Sequence, residues 1–194
     1  MQDIHQIIGI TAGILAIGGY IPYIIGILKG KTKPSKATWL IWTVVGGLLA
    51  VSYLAEGDEN AIWLPFGYFL GPLIIAIFSI RYGYSSWSWL DVLCLIIAGA
   101  SIIPWLLSKN ATSTLLINVL IDAAGALPTI VKTYHQPDSE DFTAWSVFFI
   151  ASILELFAIT NWNFAAIFPI YLFFLTATMV LLIWFGKNKN ATKR

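Results

Sequence analysis

Charge is what this chain has least of. Asp, Glu, Lys and Arg together make up 11% of its 194 residues, against about a quarter in ordinary soluble domains. That scarcity excludes the usual water-soluble globule. A single cysteine, Cys94, excludes a disulfide framework and a cysteine metal cluster; it lies in an apolar run and reads as a small core hydrophobe. His5 and His135 are separated in depth and show no metal-ligand spacing. Phosphate-loop, dinucleotide, haem and zinc motifs are missing, so no cofactor, no nucleic-acid partner and no enzymatic activity are expected. No basic n-region precedes the first apolar run and no small-residue cleavage signature follows it, so that run is expected to be a retained helix.

What remains is apolar. Hydrophobic residues make up 58% of the chain, and the mean hydropathy is +0.80. Seven runs lie near the ~20 residues that a bilayer crossing needs: 4–28, 38–54, 62–80, 87–107, 112–134, 142–160 and 164–185. They are continuously apolar rather than alternating, which predicts helices and not a membrane barrel. Lys and Arg set the orientation. Ten of the eleven fall in one alternate set of loops, and only Lys109 falls in the other. The positive side is cytoplasmic, so the expectation is an integral membrane protein with its N-terminus outside and its C-terminus inside. The acidic stretch at 56–59 then falls outside, in agreement. Tryptophans such as Trp63, Trp87, Trp162 and Trp184 sit near proposed span ends and read as interfacial anchors.

The stretch 118–145, NVLIDAAGALPTIVKTYHQPDSEDFTAW, has an earlier counterpart. Gly19 and Pro22, a polar loop and Trp39 match Gly125, Pro128, a polar loop and Trp145. The proline and tryptophan pairs share one offset of 106 residues, and Pro65 pairs with Pro169 at 104. A common offset marks an internal repeat. The expected architecture is an all-α membrane protein of two parallel three-helix repeats, 1–82 and 111–186, joined by a linker helix at 83–110 and followed by a tail at 187–194. The first helix of each repeat carries a proline, Pro22-Tyr23 and Pro128-Thr129, and each following loop carries a serine, Ser35 and Ser139. In this layout the chain resembles the SWEET and PQ-loop transporter superfamily. The resemblance implies alternating access between two triple-helix bundles, with Pro22, Pro128, Gly19 and Gly125 as hinge positions.

Three acids fall within spans: Asp91, Asp122 and Glu155. A carboxylate at the bilayer centre costs at least ~2.5–3.5 kcal/mol, which makes each a functional candidate by default. Asp122 is the deepest. Steps of four, three and four place Asn118, Asp122, Gly125 and Thr129 on one helical face, and Lys132 continues that line. The equivalent face of the first helix reads Ala12, Ala16, Gly19 and Tyr23, so only the second repeat carries the charge. Asp91 lies about one turn inside its span, where an acid reaches water. The loop 136–141 holds three acids facing the basic loop 29–36 on the same side, and both are expected to be solvated rather than latched together.

The leading expectation is a transporter, uniport or proton-coupled, for a small polar solute bound by Asn118, Asp122, Tyr23, Tyr68, Tyr171 and Glu155. Its partners are that solute, a proton in the coupled case, the lipid bilayer and a second copy of the chain in a homo-oligomer. The alternatives are a receptor of the same fold without transport, and an intramembrane aspartyl protease using Asp91 and Asp122. The protease requires two carboxylates sharing a proton, and the chain lacks a Gly-x-Gly-Asp sequence.

Overall fold

A computed structural model describes residues 2–56, 63–84, 87–108, 111–160 and 162–192. Most of the acidic stretch at 56–59, together with Lys109, Asn110, Lys193 and Arg194, lies outside the described residues. The described chain is helical: α1 (Gln2–Leu28), α2 (Lys36–Glu56), α3 (Trp63–Tyr82), α4 (Trp89–Leu107), α5 (Ala111–His135), α6 (Phe142–Ala158) and α7 (Ile167–Thr192), with 3-10 turns at Pro137–Ser139 and Phe164–Ala166. Within the described residues, four helices are long and apolar enough to cross a membrane, and the apolar stretches Tyr68–Tyr82 and Phe142–Ala158 are shorter.

Local chemistry sets the helix ends. Gly30, at φ +68, closes α1 in the left-handed conformation that glycine adopts without penalty. Its N–H donates to the Ile27 carbonyl at 2.9 Å, and the Lys31 N–H donates to the Gly26 carbonyl at 3.0 Å, the paired return that terminates many helices. Ser35 accepts the Thr38 N–H at 3.3 Å at the start of α2, and Asp141 accepts the Ala144 N–H at 2.8 Å at the start of α6. Those two caps are 106 residues apart. At the start of α4, the Asp91 N–H donates to Ser88 Oγ at 3.1 Å while the Ser88 N–H donates to Asp91 Oδ2 at 2.6 Å. This reciprocal box occupies the Asp91 carboxylate at a helix terminus.

Side-chain placement is inverted relative to a soluble protein. Small and hydroxylated residues such as Ala12, Ala37, Ala76, Thr38 and Ser79 are buried, while Ile7, Ile10, Ile14, Ile17 and Ile21 stand exposed along α1. Close helix contact through small residues, with large aliphatics turned outward, is how helices pack in lipid.

The chain divides into two compact units, one made of residues 1–32 and 130–194, the other of 33–129. In the first, α1 packs on α6 and α6 on α7; in the second, α2 packs on α3 and on α4. One unit thus holds α1, α6 and α7 with the end of α5, and the other holds α2, α3, α4 and most of α5. Several contacts recur at the 106-residue offset. In one unit an added Cβ at Gly19 would lie 2.7 Å from Phe148 Cδ1; in the other, one at Gly125 would lie 3.1 Å from Trp42 Cδ1. Trp145 meets Phe148 edge-on at 5.7 Å, and Trp39 meets Trp42 edge-on at 5.0 Å. All of these pairs are related by the same offset.

Gly46 brings α2 against the backbone of α3. A Cβ there would collide with the Tyr68 carbonyl and lie 2.8 Å from Phe69 Cα. Gly46→Ala is therefore expected to cost about 1–3 kcal/mol of stability, read as a lowered thermal midpoint in detergent. Gly18→Ala, where a Cβ meets nothing within 4 Å, is the control and is expected to be neutral or slightly stabilising. Equal midpoints for the two variants would refute this account of the α2–α3 contact.

Candidate functional site

The polar stripe on α5 is buried throughout: Asn118, Asp122, Gly125, Thr129 and Lys132 all lie inside. Asn118 is 3% exposed and Asp122 8%. Asn118 Oδ1 is buried without a hydrogen-bond partner, a condition rare enough in folded proteins to require an explanation. Trp42 of α2 donates its indole N–H to the Asp122 carbonyl oxygen at 3.2 Å. Two further turns along, Thr129 donates to Thr38 at 3.0 Å. Pro128 lies within α5 and has no N–H to offer the Ala124 carbonyl, which interrupts the helical ladder next to the carboxylate.

The remaining candidates divide between the units. Tyr68, half-buried on α3, belongs with Asn118 and Asp122 in the 33–129 unit, as do Gly125 and Pro128. Tyr23, Tyr171, Glu155, Gly19 and Pro22 belong to the other unit. There Tyr171 is half-buried with its ring 6.1 Å from that of Phe168, Glu155 is half-buried on α6, and Ser152 near it shares a 3.0 Å hydrogen bond with Thr176 of α7.

A second polar centre surrounds Glu140, which the sequence places in a solvated loop. The structure corrects that reading: Glu140 is only 2% exposed. Tyr23 donates its hydroxyl to Glu140 Oε2 at 2.9 Å and Trp145 its indole N–H to the same oxygen at 2.8 Å, while Lys132 forms an ion pair with Oε1. The Glu140 backbone carbonyl accepts from Lys187 Nζ at 3.3 Å. The loop is drawn inward because it docks on the end of α7. Gly186 leaves room for Pro137, and Asn190 donates to Asp138 at 3.0 Å. α7 runs on to Thr192, through residues that the charge pattern assigns to a tail. The available signal was the company of Glu140, with a lysine eight residues before it and an indole five residues after it.

In chemical terms the two centres differ. Glu140 is surrounded by donors and its charge is neutralised internally. Asn118 Oδ1 is an acceptor with capacity to spare, one helical turn from a carboxylate. Among the described residues, no group of three or more His, Cys, Asp or Glu is placed to hold a metal ion. Comparison with protein-family models, with curated proteins and with solved structures finds no match to this chain.

Proposed function

We propose that this protein is a membrane transporter of a small polar solute, uniport or proton-coupled, that works by alternating access and uses Asn118 and Asp122 of α5 as the core of its solute site. One observation carries the reading. At the 106-residue offset a glycine meets an aromatic ring twice, Gly19 against Phe148 and Gly125 against Trp42, with Ala12 and Ala16 at the positions that correspond to Asn118 and Asp122. In both copies a glycine meets an aromatic ring that is itself braced by a buried tryptophan. The apolar copy meets the demands of the fold, so the fold does not require the polar one. An acid deep in a span costs at least ~2.5–3.5 kcal/mol, and an unsatisfied buried acceptor adds ~1–3 kcal/mol. A feature so costly and structurally dispensable is best explained by use. On this reading the lysine-rich ends face the cytoplasm, and Pro22 and Pro128 are the bending points of the two repeat-initial helices.

The test is a thermal-shift screen of sugars, amino acids, amines and vitamins on the purified protein at two pH values. A compound that stabilises the wild type and loses that effect in Asp122→Asn is the expected result. Stabilisation that survives the substitution unchanged would remove Asp122 from the site.

A further inference from the structure

Trp42 of α2 carries its indole N–H to the turn of α5 that bears the carboxylate. Its bond to the Asp122 carbonyl measures 3.2 Å. Two neighbours prepare it. Trp39 is almost fully buried and meets the Trp42 ring edge-on, at an interplanar angle of 89°. Gly125 lets the indole slide across α5, since a Cβ there would lie 3.1 Å from Trp42 Cδ1, the atom bonded to the donating nitrogen.

The other copy of this contact lacks the bond. Phe148 takes the place of Trp42 over Gly19, and a phenyl ring has no N–H. The residue equivalent to Asp122 is Ala16. Donor and acid thus occur together in one copy and are absent together from the other, although each ring packs edge-on against a buried tryptophan. Packing alone therefore does not call for an indole at position 42. What sets α5 apart is its need for a fixed rotation. Pro128 removes the N–H that would bond the Ala124 carbonyl, Gly125 adds no side chain to stiffen the turn, and Asn118 and Asp122 must keep their direction regardless.

We infer that Trp42 is a positioning residue for the α5 site: its indole N–H, given to the Asp122 carbonyl, fixes the rotation at which α5 presents Asn118 and Asp122. The inference rests on the transport reading for the importance of that rotation, whereas the bond itself can be tested without any solute. The donor is removed in two ways, by Trp42→Phe, which keeps an aromatic ring of smaller size, and by placing benzothienylalanine, an isostere of tryptophan without the N–H, at position 42. Phe148→Trp is the matched control.

The readouts are the rate at which dicyclohexylcarbodiimide modifies Asp122, followed by mass spectrometry of the α5 peptide, and hydrogen exchange of the amides that follow Asp122. Loss of one hydrogen bond is expected to speed both by roughly 2- to 10-fold, in both donor-free proteins and not in Phe148→Trp. A merely structural ring would leave the isostere indistinguishable from wild type, and that result overturns the inference. Should Trp42→Phe fail to fold, the shape-matched isostere decides alone. A normal flux in Asp122→Asn would instead defeat the transport reading while leaving the bond established by these rates.

Discussion

Glu140→Ala is expected to remove about 3–5 kcal/mol of stability, the usual cost of deleting one partner of a buried ion pair. The cost comes mainly from what stays behind. Lys132 is 7% exposed and would keep a buried ammonium without its counter-charge. The Tyr23 hydroxyl and the Trp145 indole would lose their acceptor in the same step. Glu140→Gln keeps an amide oxygen to receive them and should lose less. Replacing both charges, as Lys132→Met with Glu140→Leu, should recover much of the loss, because paired apolar substitution in a buried site is often neutral. Denaturation midpoints of the four proteins in one detergent provide the measurement. A Glu140→Ala midpoint equal to that of wild type would mean that this centre does not hold the unit together.

Asp122→Asn carries the largest functional expectation. The substitution keeps the volume and removes the charge, and a hydrogen bond to a charged group is worth ~1.5–3 kcal/mol. Solute affinity should therefore fall roughly 10- to 150-fold, and flux into proteoliposomes should fall roughly 5- to 75-fold at solute concentrations near the wild-type affinity. Folding should survive, since the volume is kept and Ala16 stands at the corresponding position 106 residues earlier. The double variant Asn118→Ala with Asp122→Ala copies the apolar repeat outright and provides the stricter test. Wild-type transport in either protein would end the case for α5 as the solute site.

Much of this was legible in the residues alone. Continuous apolar runs mark helices because backbone groups in lipid must be satisfied within the segment, and all seven runs contain one. The shared offset of prolines and tryptophans anticipates caps, edge-on ring pairs and glycine contacts that recur at the same interval. The buried line from Asn118 to Lys132 follows from helical geometry. Glu140 was not legible in this way, because its burial depends on Pro137 meeting Gly186 and on Lys187 reaching its carbonyl. Both contacts depend on where the end of α7 comes to rest, which no local pattern encodes. Trp42 was hidden for a similar reason: it reads as one of two aromatics opening a helix, and its acceptor lies 80 residues away. Asp91 reads as an acid inside a span, yet Ser88 three residues earlier already spells a helix cap.

The grouping of α1 with α6 and α7 has a consequence for biosynthesis. Tyr23 and Glu140 are separated by 117 positions, so at 5–20 residues per second the ribosome takes about 6–23 s to deliver the acceptor after the hydroxyl has been made. Residues 33–129 are continuous and can assemble during that interval. The first helix is made early, whereas α6, on which it packs, is translated only after residues 33–129 are complete.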